Sequence, residues 1–186
     1  ETGFRVGCRC GSRWLISNFK NSNKPAARTP CGQGLNWREV RFEGQPDRVL
    51  LPCKPEQAER KVPLGEQTAP LQMKGCEAQD MQFTWSQLEL PNHDQPQSVL
   101  AAWQQASLAS FGADTEQAKQ VQVFTLKGAD AEPAATQLVA RSTSGQQAHF
   151  IWWLRGNRAY QLAIYSNRDA IPKGVIQNLM EGIELP

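Results

Sequence analysis

Five cysteines are the residues of this sequence with the clearest capacity for chemistry. Cys53 and Cys76 lie near the ends of neighbouring strand-like segments. If those segments pair antiparallel, the two sulfurs meet, and a bridge would stabilise the fold by about 3.4 kcal/mol in the chain-entropy model. We therefore predict a disulfide between Cys53 and Cys76. The alternative is two separate buried thiols, which is the usual state of cysteine in the cytosol.

The other three cysteines are Cys8, Cys10 and Cys31. Thiolates can hold zinc in a tetrahedral site, but a Cys-x-Cys pair without a Cys-x-x-Cys pair, far from both histidines, is a weak match. No metal site is predicted. Cys8 also follows Val6 and Gly7 as in the end of a lipoprotein signal, although the apolar run that should precede it is missing. The odd number of cysteines leaves at least one thiol unpaired or bonded to another chain.

Catalytic motifs are weak or missing. Ser17 and Lys20 have the Ser-x-x-Lys spacing of acyl-transfer serine enzymes, but the surrounding sequence is not helical in pattern and no companion motif occurs. His93 lies in a polar turn sequence, and His149 opens an apolar strand. A Cys–His hydrolase would need a free cysteine of the 53/76 pair beside His93. We predict no catalytic residue and no cofactor.

Charge divides the chain near residue 34. Residues 1–34 hold six basic side chains and one acidic one, a net charge of +5, so the total of +2 leaves −3 for residues 35–186. We predict a basic, cysteine-containing and poorly ordered arm or linker at 1–34, followed by one domain at 35–186. Dispersed basic residues with few aromatics are typical of a solvated tail, so nucleic acid is not expected as a partner.

The composition is that of a globular chain, with 186 residues of which 40% are apolar. No run of 18 apolar residues occurs, so we predict no transmembrane helix. Because the sequence begins at Glu1, we expect a processed form from which any signal peptide is already removed.

Periodicity predicts two helices and a series of short strands. The first helix is expected at 97–111 with Ser98 as its N-terminal cap, and the second after a cap at Asp169. Strands are predicted at 37–42, 48–51, 60–64, 70–74, 81–90, 120–127, 135–142, 148–155 and 159–166. The predicted inward residues are Leu100, Trp103, Phe111, Val99, Ala102 and Ala106 in the first helix, and Val175, Ile176, Leu179, Met180 and Ile183 in the second.

The last three strands are expected to form a meander that is apolar on both sides. Phe150, Trp152 and Leu154 share one side of their strand, whereas Ile151 and Trp153 share the other. Such a sheet needs cover on both sides. The sequence therefore predicts an α+β fold: an antiparallel β-sheet with a C-terminal meander, packed by two amphipathic helices and by the proline-rich N-terminal strands.

Four stretches of local sequence are distinctive: Leu51-Pro52-Cys53-Lys54-Pro55, Glu59-Arg60-Lys61-Val62-Pro63-Leu64, Met73-Lys74-Gly75-Cys76-Glu77-Ala78 and Val99-Leu100-Ala101-Ala102-Trp103. In these stretches the sequence is similar to uncharacterised exported proteins of proteobacteria, and the order of elements resembles the PsbP-like α/β/α sandwich. The resemblance covers about residues 35–186. It implies roles in binding and assembly more often than catalysis, and it implies no active-site residue.

Aromatic residues are the remaining candidates for a functional surface. Trp153, if exposed, would anchor a partner or an apolar ligand, and Trp103 and Tyr165 are candidate contacts with it. We therefore expect a non-enzymatic, periplasmic or otherwise exported bacterial protein, associated with the envelope in one version of this hypothesis. It would act through a protein partner or a small apolar ligand. The alternatives are a hydrolase-type enzyme whose site is built from residues distant in sequence, and a basic-armed adaptor for nucleic acid or membrane.

Overall fold

A computed structural model describes residues 34–64, 67–90, 96–167 and 170–186, where the chain forms nine β-strands, two α-helices and one 3₁₀ helix. The predicted arm at 1–34 lies outside these residues except for Gly34. The elements are β1 (Arg38–Arg41), β2 (Arg48–Leu51), β3 (Glu56–Leu64), β4 (Gln67–Ala78), β5 (Met81–Glu89), α1 (Pro96–Phe111), the 3₁₀ helix (Thr115–Gln120), β6 (Gln122–Phe124), β7 (Ala135–Arg141), β8 (Gln147–Arg155), β9 (Arg158–Ser166) and α2 (Lys173–Glu181).

Seven strands form one sheet in the order β3-β4-β5-β9-β8-β7-β6, and every neighbouring pair in it is antiparallel. The predicted meander is confirmed, because β7, β8 and β9 are consecutive neighbours. β1 and β2 form a separate antiparallel hairpin. The chain is therefore an α+β protein built on an antiparallel sheet, as the sequence predicts.

Both sides of the large sheet are buried, and each has its own core. The alternation predicted for β8 is confirmed, because Ile151 and Trp153 lie in one core and Phe150, Trp152 and Leu154 in the other. The first core is closed by the β1–β2 hairpin and α2, and the second by α1. A strand whose successive residues are all apolar has two apolar faces, and it therefore requires a covering layer on each side of the sheet.

α2 packs as the sequence predicts, with Val175 and Leu179 buried and Ile176 and Met180 partly buried against the same core. Ile183, predicted on the same helical face, is buried in this core but lies beyond the end of α2 at Glu181. The predicted cap of α2, Asp169, lies outside the described residues. The helix begins after Pro172, which makes no side-chain capping hydrogen bond.

The strands differ from prediction at the proline-rich end and at β6, which spans Gln122–Phe124 instead of the predicted 120–127 because the preceding residues form the 3₁₀ helix. β3 and β4 are longer than expected, with Pro63 in the edge strand β3 and Pro70 within β4. Pro70 pairs with Lys61 of β3, whereas the ladder between β4 and β5 begins only at Leu71. The missing N–H of Pro70 is therefore placed where β4 has a partner on one side only, which is how strands tolerate proline.

Two glycines are required by local geometry, one in a tight turn and one in a close contact between α2 and β2. Gly156, with φ of +56°, and Asn157 form the two-residue turn that the sequence predicts between β8 and β9. Gly182 ends α2 against β2, where its carbonyl accepts a hydrogen bond from the N–H of Leu50. A Cβ on Gly182 would lie 2.6 Å from the Cβ of Leu50, so only glycine fits this contact.

The predicted Cys53–Cys76 disulfide is confirmed. Their Cα atoms are 5.8 Å apart, because Glu56 pairs with Gly75 and brings the two ends of the β3–β4 hairpin together. Cys53 follows β2, so the bridge also joins the small hairpin to the large sheet.

Candidate functional site

The orientation of α1 is fixed by apolar and polar contacts with the sheet. The buried residues of the helix are Leu100, Leu108 and Phe111. Between them the Gln104 amide donates to Thr136 Oγ1 at 2.8 Å, and the Ser107 hydroxyl donates to Gln161 Oε1 at 2.7 Å. Gln161 Oε1 also accepts from the indole N–H of Trp152 at 3.1 Å. These hydrogen bonds fix which face of α1 is turned toward the sheet.

The inward face of α1 differs from the predicted one. Ala102 and Ala106 are exposed, not buried, and Gln104 and Ser107 take the inward positions. The physical reason is that the sheet presents Thr136 and other polar groups to the helix, which the apolar stripe did not anticipate. Ser98, predicted as the cap, lies inside the helix because α1 already begins at Pro96.

The outer face of α1 is defined by its exposed residues, Gln97, Ser98, Ala101, Ala102, Gln105, Ala106, Ala109 and Ser110. None of the sixteen residues of the helix is ionisable. Surface helices ordinarily carry charged residues on the side away from the core. Loss of charge is instead the compositional mark of the central part of a protein–protein interface.

Two of the predicted contact residues lie on the α1 side of the sheet, Trp103 in the helix itself and Tyr165 in β9. Trp103 is partly buried and packs against the core beneath α1. Tyr165 is also partly buried, with its ring 5.8 Å from that of Phe111 at the end of the helix and 5.6 Å from that of Phe150. Burial raises the pKa of Tyr165 to about 12, against the opposing effect of a hydrogen bond from Thr84, so its hydroxyl is neutral near pH 7.

Trp153 lies on the opposite side of the sheet and is fully buried. Its ring stacks on Tyr160 at 5.2 Å, beneath the layer formed by α2 and the β1–β2 hairpin. The exposure on which its predicted role as a surface anchor depended is therefore not present. The prediction assumed that this side of the sheet was less completely covered.

The contact between the meander and α1 is filled by aromatic rings. Phe150 stacks on Trp152 at 5.2 Å, and Phe111 meets Phe150 edge-on at 5.9 Å. All three residues are buried. A small apolar ligand in this position would have to displace one of these rings, so the structure favours the outer surface of α1 as the candidate site.

His149 does not have the surroundings of a catalytic base. Its Nε2 is 3.0 Å from Oε1 of Gln137, an amide, and its Nδ1 is buried without a hydrogen-bond partner among the described residues. Burial lowers the pKa of His149 to about 4, so the ring is neutral near pH 7. His93 lies outside the described residues. Within the described ranges, no group of three or more His, Cys, Asp or Glu side chains is arranged to hold a metal ion.

One buried polar cluster was not predicted from the sequence. Tyr160 donates a 2.6 Å hydrogen bond to Oδ2 of Asp47, and Arg155 pairs with Oδ1 of the same carboxylate and with the carbonyl of Pro186. Burial and this hydrogen bond raise the pKa of Tyr160 well above its ordinary value. The cluster fastens the β1–β2 turn and the C-terminus to the sheet, which is a structural role.

Among the described residues, no helix is both long enough and apolar enough to cross a membrane. In comparisons with known proteins, no family model matches the chain, and no curated protein or solved structure is significantly similar to it.

Proposed function

We propose that this protein is a non-enzymatic, exported binding protein that engages an uncharged helix of a protein partner through the outer face of α1. The observation that carries the proposal is the lack of any ionisable side chain along sixteen residues of a surface helix. Trp103, partly buried at the side of this helix, supplies the large amphipathic side chain that often anchors an interface.

Complementarity decides the kind of partner. Covering a charged side chain without a counter-charge costs several kcal/mol, so a charge-free surface favours a partner that is itself uncharged. Four exposed alanines, Ala101, Ala102, Ala106 and Ala109, allow the backbone of another helix to approach closely. Tyr165 remains neutral near pH 7 and adds no charge beside this surface.

The Cys53–Cys76 disulfide supports the proposed location outside the cytosol. Disulfides persist in oxidising compartments such as the bacterial periplasm and are rare in the reducing cytosol. The PsbP-like relationship and the proteobacterial origin remain predictions.

The proposal is tested by site-specific photocrosslinking in the periplasm of a bacterium that expresses the full chain. A benzophenone amino acid replaces Ala106 on the outer face of α1, or Asn178 on the exposed face of α2 as the matched control. We expect a protein to be captured from position 106 and not from position 178. That protein is then purified, and its dissociation constant is measured with the wild-type chain.

Charge substitutions give the decisive comparison in the purified complex. Ala106→Glu buries an unpaired carboxylate, so we expect binding to weaken by about a hundredfold, which corresponds to roughly 3 kcal/mol. Asn178→Glu should leave the dissociation constant unchanged. Equal capture from both positions, or an unchanged dissociation constant for Ala106→Glu, would refute the proposed surface.

A further inference from the structure

The face of the sheet opposite α1 carries a row of side chains that runs from solvent into the core. Glu59 of β3 pairs in register with Gln72 of β4, Gln72 with Gln87 of β5, and Gln87 with Tyr160 of β9. Glu59 is exposed, Gln72 is partly buried and Gln87 is 7% exposed. The first three form a hydrogen-bonded chain, in which Gln87 Nε2 donates to Gln72 Oε1 at 2.6 Å and Gln72 Nε2 donates to Glu59 Oε2 at 3.1 Å.

The donor and acceptor roles in this series of hydrogen bonds follow from the carboxylate at its outer end. A carboxylate such as Glu59 only accepts hydrogen bonds, so the Gln72 amide must present its nitrogen to Glu59 and its oxygen to Gln87. Gln87 must then use its nitrogen for Gln72. Its oxygen is left at the inner end of the chain, buried and without a partner among the described residues.

The neighbouring residue in the row does not supply the missing donor. The single hydroxyl proton of Tyr160 is given to Asp47, whose other oxygen pairs with Arg155. Donors lacking an acceptor do lie on this face of the sheet. The indole N–H of Trp85, two residues from Gln87 on β5, and that of Trp153, opposite Tyr160, are both buried and unpartnered.

Three unpartnered polar atoms around one tyrosine are a departure from ordinary packing. A buried polar group without a hydrogen bond costs roughly 1–3 kcal/mol, and such groups mark strain, function or a missing occupant. An occupant beside Gln87 must donate to its Oε1, and one that also contacts an indole N–H of this face must accept from it. A hydroxyl group does both, whereas an ammonium ion only donates and a carboxylate only accepts.

The row is accessible from the outer edge of the sheet. The β1–β2 hairpin and α2 close the core over the middle strands, whereas the β3 residues facing the same side, Gln57, Glu59 and Lys61, are exposed. Lys74, beside this opening, is engaged by the carbonyl of Arg41 and lies over the ring of Phe42 at 5.5 Å. A molecule lying across β3 and β4 would therefore meet polar groups on its way to Gln87.

We propose that the row Glu59–Gln72–Gln87 is a binding site for a neutral, hydroxyl-rich ligand of the carbohydrate type, one hydroxyl of which donates to Gln87 Oε1. The site lies on the face of the sheet opposite α1 and is independent of the protein-binding surface proposed above. Carboxylate and amide groups of the row supply further hydrogen bonds to the other hydroxyls.

The test is an NMR titration of the full, isotope-labelled chain with D-glucose at millimolar concentrations. The expected result is a saturable shift of the Gln72 and Gln87 side-chain amide signals and of the Trp85 indole signal. Gln87→Met keeps the side-chain length but removes the Oε1 acceptor, together with the Nε2 donor to Gln72. Glucose binding should therefore weaken by about tenfold or more, the effect of one lost hydrogen bond to the ligand. Gln104→Met, which removes an amide beneath α1, is the matched control and should bind glucose as the wild type does.

Two results would overturn the proposal. The first is the lack of a saturable shift of the side-chain amide signals of Gln72 and Gln87 in the wild type. The second is equal affinity of the wild type and Gln87→Met for glucose, measured under conditions where urea unfolding shows that both proteins are folded.

Discussion

Burial of His149 predicts a loss of stability in mild acid whose size can be worked out. The side chain is 3% exposed, and its pKa is about 4 in the folded protein against about 6.5 in an unfolded chain. Between these two values the unfolded state binds a proton that the folded state does not. The free energy of unfolding therefore falls as the pH drops below about 6.5 and levels off below about 4.

The full effect of His149 is about 3.4 kcal/mol, since each pKa unit corresponds to about 1.36 kcal/mol. At about pH 4.5 the linkage relation gives about 2.4 kcal/mol less stability than at about pH 7. Carboxylates also titrate in this range, so the relevant quantity is a difference between two proteins. His149→Gln does not titrate and retains a group able to hydrogen-bond Gln137.

Urea unfolding of both proteins at the two pH values measures this difference. The wild type should lose about 2.4 kcal/mol more than His149→Gln on acidification. An NMR titration gives an independent measurement, because the chain has two histidines and the signal lost in His149→Gln identifies this residue. Equal losses in the two proteins, or a His149 signal that titrates near its ordinary pKa in the folded chain, would refute the reasoning.

Two further predictions concern the covalent and hydrogen-bonded ties of the sheet. Replacing Cys53 and Cys76 together by alanine should lower the free energy of unfolding by about 3.4 kcal/mol, given the separation of 23 residues, and a loss below about 1 kcal/mol in urea would contradict this. The Gln117 amide donates to the carbonyl of Arg141 and accepts from its N–H, which caps the edge of β7. Gln117→Ala should therefore cost roughly 1–3 kcal/mol, measured against Gln122→Ala as an exposed control, and equal stability of the two variants would rule out the cap.

Short-range patterns in the sequence were sufficient for much of the scaffold. The unbroken apolar run from Phe150 to Leu154 predicted a sheet with two cores, and the helical spacing from Val175 to Met180 predicted the face of α2 that packs against one of them. Gly156 and Asn157 predicted a tight hairpin turn. These features depend on residues within one turn or one strand, where backbone geometry alone decides which side chains share a face.

The candidate sites depended on contacts between distant parts of the chain. Ala102 and Ala106 face outward because Gln104 and Ser107 find partners on the sheet, which no periodicity within α1 reveals. Trp153 is buried because two separate elements cover its side of the sheet.

Local spacing in the sequence was enough to predict both helices, most of the strands and the apolar faces of β8 and α2. The pairing of β5 with β9, and through it the row that places Gln87 beside Tyr160, could be read only from the folded structure. The same is true of the Asp47–Arg155 ion pair, which joins residues 108 positions apart. Such contacts are selected by packing and charge satisfaction across the whole chain, and local propensity carries no information about them.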